Sequence, residues 1–483
     1  MAKEAELLNW KKNCVYERVE DSGQHAISSR WVYSEKSVPG SDVTKLKARL
    51  VCRGYEEDSS WFRTDSPTCT KESLRLVSCA TMSYGWECKS LDVKAAFLQG
   101  FDIEREIYMR PPSDIREKGF IWKLRRCPYG LNDAPRSWFR RVKSELDKLG
   151  VRSSIFDEAL FYYKVEGHLA GLMALHVDDF IYGGSTEFTK DVISKLVSVF
   201  EISVQNCSNF KYVGLNLVQT SNGIMIDQDK YVKSTVECVD ISSSRVLDKD
   251  ELLTEVERKQ LKRLCGQLLW VSNNTRPDVC YEVSTLCNAG KNATVSDLLK
   301  VNKLVKKMKQ EKGVIKYPNL GDPNKWNLAV FSDSSFANLP DSSSQGGHIV
   351  FINSTEGKVA PISWQSRKLQ RVTKSTLSSE TLAVIEAVDA AVLIQKQIEE
   401  VFEVKPEIIV YTDSQSLHQT VHTSKILTDK SLRISVAYLR QFINNREITM
   451  NWIRATYQLA DSLTKSGAAS HQLMQVLQSG YIQ

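Results

Sequence analysis

LMALHVDDFIYGG, residues 172–184, is an apolar run broken at its centre by Asp178 and Asp179. Apolar residues resume at Phe180, Ile181 and Tyr182, so the stretch is predicted to be a hairpin of two buried strands with the acid pair at its turn. Side chains alternate along a strand, and neighbouring carboxylates share a space only where a turn aims them there; one of the two is then the primary ligand. Acids at the tip of an apolar hairpin need a counter-charge, and a divalent cation supplies it. A solvated Asp-rich turn is the other reading of the same residues.

A third acid has a similar setting. WECKSLD ends at Asp92, at the C-terminal end of a predicted strand, and continues as VKAAFLQG. Three carboxylates gathered at strand ends suit two divalent ions, which activate an attacking hydroxyl and stabilise a leaving phosphate oxygen. Phe97 lies five residues beyond Asp92 and would fill the space beside a bound sugar if the chain turns back over the site. Upstream, KLKARLVCRG (45–54) alternates basic and apolar residues, with Lys45, Lys47 and Arg49 on one face and Leu46, Ala48 and Leu50 on the other. The cationic face reads either as a wall toward phosphate or as a solvated edge whose lysines block aggregation. The first 30 residues read as a polar lead-in with a short helix at 4–10, followed by a strand at 31–35 and a turn at Pro39-Gly40. Residues 73–82 read as a helix with Leu74, Leu76, Val77 and Ala80 inward.

The bulk properties are permissive. A chain of 483 residues allows for about three domains of roughly 100–200 residues each. Hydrophobic residues make up 42% and charged residues 25%, as in ordinary globular protein. No stretch reaches the about 20 apolar residues of a membrane span, and MAKEAELLNWKKN lacks the apolar core of a signal peptide. The 11 cysteines form no CxxC pair, which argues against structural zinc and for reduced thiols in a cytosolic setting. A net charge of +6 names no partner by itself.

Charge distribution says more. Residues 120–148 are rich in cations, including Arg125, Arg126, Arg136, Arg140, Arg141 and Lys143. A helix is predicted over 136–149 after Pro135, with Trp138, Val142 and Leu146 on one side. Another is predicted over 187–200, packing through Val192, Leu196 and Phe200. Residues 213–226 read as two strands joined at Asn222-Gly223. From 240 to 322 the chain reads as predominantly helical, with Val256, Leu261, Leu264, Leu268 and Val271 inward in one helix. A second helix, 298–312, buries Leu298, Val301, Leu304, Val305 and Met308, and Lys300, Lys303, Lys306, Lys307, Lys309 and Lys312 crowd its remainder. That face is either solvated or a sequence-independent track for a nucleic-acid backbone. A linker is expected at 317–326.

The last third reads β-β-β-α-β-α-β-α, a mixed sheet with helical cover. Asp333 ends the strand NLAVFSD, Asp413 ends EIIVYTD, and Asp461 opens the final helical stretch. Glu380 lies in the first turn of a helix capped by Thr376 or Ser379, with Leu382, Ile385, Val388 and Val392 facing the sheet. Four acids without matching cations near them in sequence suggest a two-metal phosphodiester hydrolase.

These stretches carry a resemblance. LDVKAAFL (91–98), CPYGLNDAPRSW (127–138) and HVDD (176–179) resemble successive reverse-transcriptase motifs of the Ty1/copia class of LTR retrotransposons, as do 45–54, IYMRPP (107–112) and KYVGLN (211–216). FSDS, SSET, YTDSQ and QLADSLTK resemble the four motifs of the ribonuclease H domain that follows the polymerase in that class. The resemblance runs from about residue 10 to residue 465. It implies a multidomain α/β and α+β fold: fingers and palm over 1–240, a helical thumb or connection over 241–322, and a ribonuclease H domain over 323–483. It implies that Asp92, Asp178 and Asp179 are the polymerase carboxylates and that Asp333, Glu380, Asp413 and Asp461 are those of the nuclease, each site holding two Mg²⁺ ions, with Mn²⁺ as a substitute. Lys47 and Arg49 would approach the incoming triphosphate, and Phe97 would exclude a 2′-hydroxyl. Gly130, Leu131 and Pro135 would shape the template–nucleotide pocket; Tyr212 and Gly214 would grip the primer end. The implied partners are an RNA template, a DNA primer, RNA–DNA hybrid and deoxynucleoside triphosphates, and the implied location is cytoplasmic, within virus-like particles where the chain is part of an active retrotransposon. Nothing in the residues sets the oligomeric state.

The chain departs from the class at His176, where Tyr is usual, and at Asn132-Asp133, where Lys-Gln is commoner. Two other functions compete: a domesticated nucleic-acid-binding protein with weak or lost polymerase activity, and a processing nuclease in which only the last third acts. Glu386, six residues beyond Glu380, is the alternative helical acid; Glu380 is preferred because Ala383 and Val384 then fall in register.

Overall fold

The computed structural model describes residues 1–37, 44–205, 208–423, 427–467 and 470–482; the turn expected at Pro39-Gly40 lies outside them. The chain divides into two compact units, each drawn from two stretches: residues 1–69 with 90–205, and residues 70–89 with 206–483.

The first unit holds two sheets. One runs in the order Tyr16–Glu20, Phe120–Leu124, Tyr108–Arg110, Ala26–Ser37, Thr44–Cys52. The helix Ala2–Lys12 is present as expected, but the rest of the first 30 residues is no lead-in: Tyr16–Glu20 is a strand, and the strand expected at 31–35 begins already at Ala26. The side chains of Tyr16–Glu20 are mostly exposed, so no clean apolar alternation marked it. In Thr44–Cys52, Ala48 and Leu50 point into the core, whereas Leu46 is 52% exposed. This is the edge strand of its sheet, and burial begins only at Ala48.

The second sheet has the order Ile202–Gln205, Lys89–Val93, Asp179–Gly184, His168–His176, Leu160–Val165, Arg152–Ser153. The expected hairpin is its centre: Asp179 pairs with His176, and the ladder runs back to Gly184 against Gly171. Leu172, Met173, Leu175, Phe180, Ile181 and Tyr182 are all buried there. Burying such side chains is worth roughly 1.5–3 kcal/mol each, which offsets the cost of holding acids at the tip. The helix Ala134–Lys148 packs Trp138, Val142 and Leu146 on this sheet. The predicted 187–200 helix contains one π turn, Thr189–Ile193, and buries Val192, Leu196 and Phe200 as expected.

The second unit takes in the helix Lys71–Ser83, capped by the Thr70 hydroxyl, which accepts from the Ser73 N–H. Its four-stranded sheet runs Asn209–Tyr212, Leu215–Thr220, Gly223–Asp227, Val314–Tyr317. The hairpin starts at Leu215, not at 213, because Val213 and Gly214 form a tight turn with φ of 46° and 75°. Helices Glu255–Asn274, Cys280–Asn288 and Val295–Gln310 share one core. Val256 is 67% exposed rather than inward, since the packed stripe begins at Leu261. The expected linker is an ordered connection: Tyr317 ends a strand and is buried, and Trp326 is buried at the far end.

The last sheet is ordered Val359–Lys368, Gln345–Asn353, Asn327–Ser335, Glu407–Thr412, Ile448–Trp452, the first two pairings antiparallel and the last two parallel. Asn327–Ser335 does not end at its acid; it runs two residues past Asp333, which pairs with Gly347. The helix Thr376–Phe402 is capped by Ser375, not by Thr376 or Ser379, which places Glu380 in its second turn. Its buried stripe is Ala383, Val384, Ala387, Val388 and Ala391; Leu382, Ile385 and Val392 are only half-buried. Small alanines let the helix lie close on the sheet and turn the larger side chains outward. A short helix, Gln415–His422, precedes Lys430–Asn444 and was not anticipated. No helix of the described residues is long and apolar enough to cross a membrane.

Candidate metal centres and their surroundings

In the first unit the hairpin turn is tied to the strand carrying Asp92. The Val93 N–H donates to the Asp178 carbonyl (3.1 Å), and the Trp138 indole donates to the Val177 carbonyl (2.7 Å). Val177 has φ 59°, a left-handed conformation that a β-branched residue adopts only where its surroundings impose it. Asp92 lies close enough to Asp178 for its charge to be felt there. The Asp178 carboxyl keeps solvent access, but local desolvation raises its pKa and Asp92 raises it further, against the pull of Arg49 and Lys47. Asp179 begins the return strand opposite His176. Burial lowers the pKa of His176, with Asp178 opposing.

Around this turn stand several of the expected substrate residues. The Arg49 guanidinium lies 5.5 Å from the Tyr129 ring centroid, and the Phe97 ring lies 5.3 Å from the same ring. Lys47 is exposed on the same strand as Arg49. Gly130 is required by geometry: its φ is 95°, and a Cβ there would stand 2.0 Å from the Cys52 carbonyl oxygen. Close approach lets Cys52 N–H bond Tyr129 O (2.8 Å) and Gly54 N–H bond Gly130 O (3.1 Å). Leu131 is buried in the adjacent core, and Pro135 sits in the first turn of its helix. Tyr212 and Gly214 belong to the second unit, where Tyr212 is buried and Gly214 forms its turn beside Trp270.

Tyr129, inside CPYGLNDAPRSW, carries no sequence signal of its contacts with Arg49 and Phe97. The departures at 132–133 have partners of their own. The Asn132 amide donates to Gly54 O (3.3 Å) and Ser59 Oγ (3.1 Å), and Asp133 shares Arg105 with Glu57 in paired hydrogen bonds of 2.6–3.1 Å. A cavity of about 1200 Å³ opens beside this network, lined by Arg63, Arg105, Arg126, Arg136, Arg140 and Arg141. Five of these six arginines are paired with Asp65, Glu57, Asp133, Asp102 or Glu145, so the wall is largely neutralised, and none of the expected catalytic acids lines it.

The second unit gathers the other acids more tightly. Parallel pairing of Phe331 with Tyr411 brings Asp333 and Asp413 level on adjacent strands. Asp333, Asp413 and Asp461 each bring one carboxylate oxygen within 4.8 Å of the others. Asp92, Asp178 and Asp179 do not converge to that degree; among the described residues the second-unit trio alone does. Glu380 is 4% exposed, one of its carboxylate oxygens has no hydrogen-bond partner, and its nearest charges are Asp333 and Asp413. Burial, then the neighbouring carboxylates, raises the pKa of Asp333, Glu380 and Asp413. Glu386 is elsewhere engaged, in a fork with Arg367 at 2.9–3.0 Å.

The expectation that no cation matches these acids is corrected by Lys465. Its ammonium is 3.0 Å from Asp461 and 3.2 Å from Asp333. The Thr464 hydroxyl donates to Asp333, and the buried Gln458 amide donates to Ser332 O (3.0 Å), tying the acid-bearing loop to the strand. The spacing of Lys465 four residues after Asp461 was the available signal. All donors here are hard oxygens, and a buried oxygen lacks a partner; both features fit a divalent ion such as Mg²⁺ or Mn²⁺.

Comparison with known proteins gives these sites a context. Residues 13–247 match the family described as reverse transcriptase (RNA-dependent DNA polymerase). The chain is 25% identical to the retrovirus-related Pol polyprotein from transposon TNT 1-94 of Nicotiana tabacum, across 96% of this chain and 36% of that protein. It is 23% identical to the Pol polyprotein from transposon RE1 of Arabidopsis thaliana, across 91% of this chain and 30% of that protein. The chain thus spans roughly a third of the length of these relatives. Among solved structures it is similar to the foamy viral protease-reverse transcriptase in complex with RNA/DNA hybrid (TM-score 0.54, 12% identity, 97% of this chain and 56% of that one). It is also similar to the foamy viral protease-reverse transcriptase dRH in complex with ds DNA (TM-score 0.54, 13% identity, 92% and 68%). At such identity the likeness is one of fold: a multidomain α/β and α+β architecture.

Proposed function

We propose, from the premise that this chain belongs to the reverse transcriptase/ribonuclease H-like regions of Ty1/copia-type retrotransposons, that it copies RNA and DNA into DNA and cleaves the RNA strand of RNA–DNA hybrids. Residues 1–240 act as fingers and palm, 241–322 as thumb or connection, and 323–483 as the ribonuclease H domain. Convergence of Asp333, Asp413 and Asp461 is the observation that carries the reading, because three carboxylate oxygens held this close can serve as ligands of divalent cations. Bound Mg²⁺ would activate the attacking oxygen and stabilise the leaving one.

The chain's own residues divide the remaining work. Asp333, Asp413, Asp461 and Glu380 hold the ions of the nuclease; Asp92, Asp178 and Asp179 hold those of the polymerase. Arg49 and Lys47 neutralise the triphosphate, and Phe97, braced by Tyr129, occupies the space a ribose 2′-hydroxyl would need. Gly130, Leu131 and Pro135 shape the pocket beneath the templating base. The turn at Gly214, anchored by buried Tyr212, would grip the primer end. Exposed lysines of Val295–Gln310 follow the duplex backbone, a contact that weakens steeply with salt. The substrates are template, primer, hybrid and deoxynucleoside triphosphates, handled in the cytoplasm within virus-like particles.

The test is primer extension on poly(rA)–oligo(dT), beside cleavage of a labelled RNA–DNA hybrid, each with Mg²⁺ and with chelator. Metal-dependent extension and RNA fragmentation are expected. Nucleic-acid binding without either activity would favour the domesticated binding protein instead.

A further inference from the structure

We propose that Lys465 is a built-in counter-ion of the acid cluster: its ammonium holds the place between Asp333 and Asp461 in the metal-free protein and is displaced when a divalent ion enters. The inference rests on the ribonuclease H reading of those acids. Asp333 is 1% exposed and pinned at the centre of its sheet, so it cannot turn to water for relief. Asp461 and Asp413 bring oxygens within 4.8 Å of it. Three carboxylates so placed repel one another unless a positive charge lies among them. Lys465 supplies that charge, bonded to Asp461 at 3.0 Å and lying 3.2 Å from Asp333.

The same contacts make Lys465 a competitor. It approaches carboxylates of two of the three residues a metal would use, so the ammonium and a divalent ion compete for the same negative charge. The lysine is nevertheless free to leave. Its side chain is 41% exposed, and its four-carbon stem rotates without moving the backbone. Asp333, by contrast, keeps the Thr464 hydroxyl when the ammonium departs. Lys465 is therefore a positioning residue that sets how much metal the site requires, and its released ammonium is then available to a phosphate of the hybrid.

The measurement is calorimetric titration of Mn²⁺ into the full chain carrying Asp178→Asn, which weakens metal binding at the cluster of Asp92, Asp178 and Asp179. Lys465→Met, Lys465→Arg and Asp413→Asn are compared in that background. Lys465→Met is expected to bind Mn²⁺ about fivefold or more tightly than its parent, an order of magnitude set by removing one competing contact pair. Lys465→Arg, which keeps the charge, should bind no more tightly than the parent. Equal or weaker binding by Lys465→Met overturns the counter-ion role. Mn²⁺ binding that Asp413→Asn leaves untouched overturns the ribonuclease H metal site itself, a separate failure. The Mg²⁺ concentration for half-maximal RNA cleavage gives a second readout, and it should fall in Lys465→Met with the saturating rate free to drop.

Discussion

Glu380 and Glu386 lie six residues apart on one helix, and their surroundings separate them. Glu380 is buried against Asp333 and Asp413 with an oxygen unpartnered, whereas Glu386 is half-exposed and neutralised by Arg367. Glu380→Gln is expected to reduce hybrid cleavage by at least about a hundredfold, the scale of losing one group that stabilises the reacting centre. Glu386→Gln should cleave within about threefold of wild type, as loss of a surface pair warrants. Single-turnover cleavage kinetics of both variants decide the matter. The convergence of Asp333, Asp413 and Asp461 was legible in the sequence because each ends or flanks a strongly patterned element. The pairing of Lys465 with Asp461 is carried in sequence only by their four-residue spacing, and its contact with Asp333, like that of Tyr129 with Arg49, joins residues far apart in the chain. Leu46 and Val256 show the converse error: their periodicity is right, but the packed layer starts one turn or one residue pair later.

At the scale of elements, the helix Lys71–Ser83 shows what periodicity leaves out. Its apolar face was readable, yet Arg75 on the same helix is also buried. The guanidinium donates to Ile362 O (2.7 Å) and Asn273 O (2.8 Å) and lies 3.5 Å from the Trp364 ring centroid. One cation thus ties this helix to the end of Glu255–Asn274 and to the strand Val359–Lys368, all within the second unit. Arg75→Met is expected to lower stability by about 2–4 kcal/mol, because two carbonyls lose a charged donor in a buried place. Urea unfolding with an unchanged midpoint would deny the helix that role. Hairpins and long helices were legible because their periods are long and regular; the strand at 16–20 was not, since an exposed edge strand lacks an apolar face, and the strand expected at 31–35 is the later part of one that starts at Ala26. The discontinuous second unit was equally hidden, because its join depends on a buried arginine that reads in sequence as a surface residue.

At the scale of the whole molecule, the buried acids of the second unit make stability depend on pH. Burial carries Asp333 up to about 7 and raises Glu380 and Asp413 too. In the unfolded chain such carboxyls titrate near about 4, so between roughly pH 4 and 7 the folded protein holds more protons than the unfolded one. Metal-free stability therefore falls as pH rises through that window, and added Mg²⁺ reverses the fall by binding the ionised form. Thermal midpoints at pH 6 and 8 should show this in chelator, with a smaller pH effect in Glu380→Gln; identical slopes for the two proteins would contradict it. The central claim is that two separate carboxylate clusters run two separate reactions in one chain. Asp178→Asn and Asp413→Asn test it most directly, each assayed for primer extension and for RNA cleavage on the same preparation. Asp178→Asn should lose extension and keep cleavage, and Asp413→Asn should keep extension and lose cleavage. Wild-type RNA fragmentation by Asp413→Asn, or undiminished extension by Asp178→Asn, would contradict it.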